Sequence, residues 1–169
     1  KKKTKPNEIA VLYRANFQSR ILEEIFLRGN VPYQVIGVRF FERKEIKDAL
    51  SYLKAALNPE SATDVSRAVA ATPRGIGKIT LAKMIMKKEN ELGDAQTIKV
   101  RQFWNCLENI RSAIGEKRAS EVVQIALKEG GIWAEYTKKN ADDMERIENL
   151  KELVTVATKY DNLPAPEGI

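Results

Sequence analysis

Histidine is absent from the 169 residues, and cysteine occurs once, at Cys106. Without histidine there is no Ser–His or Cys–His catalytic pair and no His-containing metal site. A lone thiol cannot close an internal disulfide, which fits a reducing, cytoplasmic setting. Long apolar runs are missing too, so no segment reads as a membrane span. The opening KKKTKPNE is followed by no apolar core of a signal peptide, and none is expected. The phosphate-cradling spacing GxxxxGK[ST] occurs nowhere in the chain. Aromatic residues make up 7% and are scattered, so composition offers no base-stacking platform.

What is present suits a packed, basic protein. Hydrophobic residues account for 43%, enough for a core, and the net charge of +6 is compatible with nucleic acid as a partner. Part of that excess is the run Lys1, Lys2, Lys3 and Lys5, which reads as a solvated, frayed end.

Residues 8–53 carry the densest pattern. The apolar stretch 9–12 reads as a buried parallel strand ending in Tyr13-Arg14. An amphipathic helix is expected over 18–28, with Ile21, Leu22, Ile25 and Phe26 on its apolar face and Glu23, Glu24 and Arg28 off it. Gly29-Asn30 stops it, a second strand follows at 33–36, Gly37 ends that strand, and a helix is predicted over about 43–57. Two parallel strands with one crossover cannot finish a sheet, so its remaining strands are expected outside this sequence. The predicted fold class is therefore α/β but helix-dominated: an incomplete parallel β-α-β unit followed by an α-helical fragment. Helices are expected from about 61 to 71, 79–91, 98–114, 119–128, 132–138 and 142–160. The best internal boundary is Leu92-Gly93-Asp94, dividing the chain into 1–93 and 94–169.

In open α/β sheets ligands bind beyond the carboxyl ends of the strands. Tyr13 could stack there on a purine and Arg14 could fork onto phosphate oxygens; the alternative is a local salt bridge at the sheet rim. Gln18, Ser19 and Arg20 read as helix capping and surface pairing, Arg20 with Glu23 or Glu24. In 39–48 (RFFERKEIKD) the charges largely pair with one another, and Phe40 and Phe41 read as core. The turn Thr72-Pro73-Arg74-Gly75-Ile76-Gly77-Lys78 exposes backbone N–H groups at a helix start, flanked by the cations Arg74 and Lys78. It suits a sequence-independent contact to a nucleic-acid backbone; the alternative is a tight helix–helix turn that needs glycines for space. Trp104 and Trp133 read as core, and Asp142-Asp143 as caps of the last helix.

YRANFQSRILEE, PYQVIG and FFERKEIKDALSYL, with TPRGIG and RIENLKELV further on, together resemble the UvrD/PcrA/Rep-type superfamily one DNA helicases. The resemblance is dense over the first third of the chain. It implies an internal piece of an ATP-driven 3′-to-5′ motor on single-stranded DNA: residues 1–93 from the second RecA-like domain, 94–169 from the inserted arm domain. It implies that Tyr13 stacks on adenine, that Arg14 contacts the γ-phosphate as an arginine finger, and that Arg43 and Lys44 lie near the single-stranded DNA path. Arg74, Gly75, Ile76, Gly77 and Lys78 are then further DNA contacts. The resemblance implies RIENLKELV as an arm-domain signature; its residues read as a core-forming amphipathic helix. Relatives often carry two glycines where this chain has Gly37-Val38, which leaves that loop less permissive. The expected partners are DNA, single-stranded and at a duplex junction, and the remaining domains of the same polypeptide, with no membrane. ATP and Mg²⁺ are expected as cofactors of the parent protein. With no P-loop and no recognisable Mg²⁺ carboxylate, the chain alone is expected to be inactive. Competing expectations are a stand-alone, non-enzymatic DNA-binding module and a helicase–nuclease of the AddA/RecB type.

Overall fold

The structure is a computed structural model that describes residues 4–136 and 141–163. Among the described residues there are eight helices: α1 (Ser19–Arg28), α2 (Lys44–Leu57), α3 (Ala62–Ala71), α4 (Lys78–Ile85), α5 (Asp94–Glu116), α6 (Ala119–Glu129), α7 (Ile132–Tyr136) and α8 (Ala141–Thr158). Short 3-10 turns occur at Pro6–Glu8, Asn16–Gln18, Phe40–Glu42 and Glu89–Glu91. Residues 137–140, where the helix expected over 132–138 would end, lie outside the described residues.

α2 is the hub, packing against α3, α5, α6 and α8. The reason is its composition: Ile46, Ala49, Tyr52, Leu53, Ala55 and Ala56 are all buried, and small residues let neighbouring helices approach closely. Phe103 and Ile110 from α5, Val122 and Leu127 from α6, Ile132 from α7 and Leu150 from α8 are buried with them. Burying each such side chain contributes about 1.5–3 kcal/mol. The two-residue link between α5 and α6 makes them neighbours, and α6 in turn packs on α8. Residues on both sides of Gly93 thus share one core.

Local signals explain most boundaries. Ser61 caps α3, its Oγ accepting from the Asp64 N–H and donating to Asp64 Oδ2. Asn58 closes α2. The helix expected over 79–91 stops at Ile85. Lys87 adopts φ 57°, the Lys88 N–H reaches back to the Lys83 carbonyl, and Trp104 Nε1 holds Glu89 in the following turn at 2.8 Å. At the start of α6, the Ser120 N–H and hydroxyl both donate to the Asp161 carboxylate at 2.8 Å, so a residue far along the chain supplies the cap. Those bonds, with the backbone N–H first, hold the Asp161 carboxyl below the usual carboxylate range.

The largest departure concerns the β-α-β unit. Among the described residues no strand forms; 9–12 and 33–35 run without ladder partners. Leu12 is 93% exposed and Ile36 94%. Gly37 does take the left-handed backbone, φ 118°, at the expected turn. The apolar face expected of α1 is covered only in part: Leu22 and Phe26 are half-buried, the Phe26 ring 5.4 Å from that of Tyr33. Ile21, Ile25 and Leu27 are exposed, whereas Ser19 and Arg20 are buried. A strand needs a neighbour to satisfy its amides, and an apolar helix face needs a sheet to cover it. Among the described residues neither is present.

Candidate nucleotide-facing and nucleic-acid-facing site

Tyr13 and Arg14 precede a tight turn built by Gln18. The Gln18 side-chain oxygen accepts from the Arg14 N–H at 3.2 Å and the Ala15 N–H at 3.1 Å, while the Gln18 N–H returns to the Ala15 carbonyl at 3.0 Å. The turn fixes the backbone and leaves both side chains outward: Arg14 is exposed, and Tyr13 is 36% exposed. Among the described residues no carboxylate pairs with Arg14, so the local salt bridge at a rim is not formed. An outward ring beside an outward guanidinium can stack on a base and pair with phosphate.

The turn leads into a buried polar cluster. Ser19 is 2% exposed and Arg20 8%, so Arg20 is not a surface pairing residue. Its Nη1 donates to Glu24 at 2.7 Å, the helical pairing expected, and its Nε pairs across the molecule with Glu152 of α8. Lys159 also donates to Glu24, at 2.6 and 2.8 Å, and this bond is the main cause holding the Glu24 carboxyl below its ordinary value.

Arg43 and Lys44, both candidates for the DNA path, separate. Lys44 is exposed, whereas Arg43 is 8% exposed. Arg43 donates from Nη1 to Asn149 Oδ1 at 2.7 Å and from Nη2 to Ser19 Oγ at 3.3 Å, and its guanidinium lies 5.9 Å from the Phe40 ring centroid. It is an internal connector in this structure. Phe40 is core as expected; Phe41 is half exposed, edge-on to Phe40 with centroids 5.1 Å apart.

The turn at 72–78 divides in the same way. Arg74 points inward: Nη2 donates to the Glu129 carbonyl at 2.7 Å, Nε to the Tyr52 hydroxyl at 3.1 Å, and the guanidinium sits 5.5 Å from the Tyr52 ring centroid and 5.9 Å from that of Phe103. A cation at the last carbonyls of α6 is where the helix dipole favours it. Tyr52 also meets Thr72 Oγ1 at 2.8 Å, and Thr72 donates to the Gly130 carbonyl at 3.0 Å. Burial pushes the Tyr52 hydroxyl up from its ordinary pKa and pushes the Cys106 thiol up as well, despite the nearby Arg74.

What remains outward in this turn is Gly75, with φ 68°, Gly77, and the exposed Lys78 and Ile79 at the start of α4; Ile76 packs against the core. No side chain caps α4, so its first amides stay available. Lys99 from α5 lies over the turn, its Nζ 3.4 Å from the Gly75 carbonyl. A Cβ at Gly75 would come within 2.9 Å of that Nζ. Lys99 was not legible as a site residue, because it reaches the turn through the packing of α5 rather than through any local pattern.

The sequence matches the UvrD-like helicase C-terminal domain over residues 1–168, and the chain belongs to that family. It is 32% identical to DNA helicase II of Haemophilus influenzae over 92% of the chain and 24% of that protein. It is 34% identical to the ATP-dependent DNA helicase PcrA of Staphylococcus aureus (strain Mu50), over 96% of the chain and 25% of that protein. The chain thus spans about a quarter of the length of these relatives.

Proposed function

We propose that the chain is the arginine-finger segment of a larger ATP-dependent DNA helicase that moves 3′-to-5′ on single-stranded DNA and unwinds duplex. The supporting observation is the Gln18-built turn, which presents Tyr13 and Arg14 side by side to solvent. Tyr13 stacks on adenine, and Arg14 meets the γ-phosphate, where it neutralises charge that develops as the phosphoryl group is transferred. ATP, when bound, supplies the phosphoanhydride whose hydrolysis drives movement. Its phosphates and Mg²⁺ are held by parts of the polypeptide beyond this chain, since the P-loop spacing is absent from the sequence and no cluster of three metal-ligating side chains occurs among the described residues. By itself the chain does not hydrolyse ATP. Segments 9–12 and 33–36 are strands completed by that same outside sheet, a reading supported by the exposure of Leu12 and Ile36.

DNA is engaged through its backbone at Lys78, Lys99 and the amides of Gly75, Ile76, Gly77 and the first turn of α4, with Lys44 as a second contact. Arg43 and Arg74 support these surfaces from within.

The test is Arg14→Ala in the full-length protein. ATP hydrolysis should fall by roughly 10³–10⁵-fold, with single-stranded DNA affinity retained. An unchanged rate overturns the finger role.

A further inference from the structure

Taking Arg14 as the group that reaches the nucleotide, we propose that α8 positions it: Asn149 and Glu152 hold the first turn of α1, and that turn holds Arg14. Three observations converge. First, the start of α1 is buried through polar residues, Ser19 and Arg20, while the neighbouring Ile21 and Ile25 are exposed. Second, two clamps grip this buried start. In one, Arg43 bridges Ser19 Oγ and Asn149 Oδ1, and Asn149, 1% exposed, donates from Nδ2 to Glu45 Oε1 at 2.6 Å. In the other, Arg20 forks between Glu24 and Glu152, and Lys159 beyond the end of α8 closes on Glu24. Third, Gln18 directly precedes the clamped turn, and across residues 15–17 its side-chain oxygen accepts from the Arg14 N–H.

Buried charged groups lose far more when a partner is removed than they gain on pairing. The clamps therefore fix one arrangement of the α1 start and not a range of them. A reorientation of α8 relative to α1 would have to break both clamps or carry the Arg14 turn with it. Asn149 and Glu152 are positioning residues: they touch no nucleotide, and they act through Ser19, Arg20 and Gln18.

The experiment uses the full-length protein and compares Glu152→Gln, which keeps an acceptor for Arg20 but removes the charge, with Arg20→Lys, which keeps the charge but removes the fork. Each should lower kcat for DNA-stimulated ATP hydrolysis roughly three- to ten-fold while KM for ATP and affinity for single-stranded DNA stay unchanged. In an Arg14→Lys background the same substitutions should have no further effect, because the group they position is already displaced. Unchanged kcat overturns the proposal, as do losses that multiply in the Arg14→Lys background. A general loss of folding in both variants also overturns it, in favour of a purely structural clamp. The underlying reading fails separately: Arg14→Lys at full rate removes the finger itself, whereas a slow Arg14→Lys beside a full-rate Glu152→Gln removes only the positioning.

Discussion

Replacing Arg74 by alanine should destabilise the helical body by about 3 kcal/mol, more than a surface contact would. The magnitude follows from what the guanidinium holds. A hydrogen bond from a charged donor contributes about 1.5–3 kcal/mol, and Arg74 makes one to the Glu129 carbonyl at 2.7 Å and another to the Tyr52 hydroxyl at 3.1 Å. Its contacts with the Tyr52 and Phe103 rings add about 0.5–2 kcal/mol. These contributions share one side chain and do not sum, and the guanidinium is only half-buried, so a net loss of about 3 kcal/mol is the working figure. In urea, with a slope of about 1–3 kcal/mol per molar, the midpoint should fall by roughly 1–3 M. Trp104 on α5 and Trp133 on α7 supply the fluorescence signal. A cycle with Tyr52→Phe should show coupling of about 1 kcal/mol, because Arg74 donates to that hydroxyl. The comparison residue is Lys78: Lys78→Ala should leave the midpoint within about 0.5 kcal/mol of the parent value and weaken salt-sensitive DNA binding. If Arg74→Ala unfolds at the parent midpoint, the inward placement of Arg74 is wrong, and it returns to the DNA-facing set.

Two further outcomes follow from the same region and its neighbour. At Gly130 a Cβ would lie 2.6 Å from the Ala126 carbonyl oxygen and 3.1 Å from the Tyr52 ring, so Gly130→Ala should cost roughly 1–3 kcal/mol; a denaturation midpoint equal to the parent's would show that the α6 end has room. The Tyr136 hydroxyl is pushed up to about 12, by burial first and then by the charges of Asp48 and Glu45. Its folded pKa lies above the unfolded value, so this stabilisation is complete below about pH 10 and is lost as pH rises towards 12. Tyr136→Phe should flatten that part of the stability–pH curve, and equal alkaline slopes for parent and variant would contradict it.

How far the sequence could be read depends on the range of the interactions concerned. Ser61 capping α3, Asn58 closing α2, the left-handed Gly37 and the Arg20–Glu24 pair are local events, and each appears where the pattern placed it. The core face of α2 was legible from its spacing, and so was the burial of Leu150 and Leu153 in α8. Arginines were the weak point. Arg14, Arg20, Arg43 and Arg74 have the same chemistry, yet one faces solvent and three are taken up internally. No local pattern separates them, because the partners Glu152, Asn149 and Glu129 lie on helices distant in sequence. Lys99 escaped notice for the same reason.

By itself the sequence determined that the chain is helix-rich and basic, that the GxxxxGK[ST] spacing is absent from it, and that it carries a Tyr-Arg pair and a glycine-bounded basic turn. These are properties of composition and of contacts within a few residues. Only the tertiary structure decided which cations face outward and which knit α2, α6 and α8 together, and that apolar strand-like segments and part of the apolar face of α1 stay uncovered. The physical reason is that burial of a charge is settled by the partner it finds, and a strand or an amphipathic face by the surface that covers it. For the buried arginines those partners lie far along the chain.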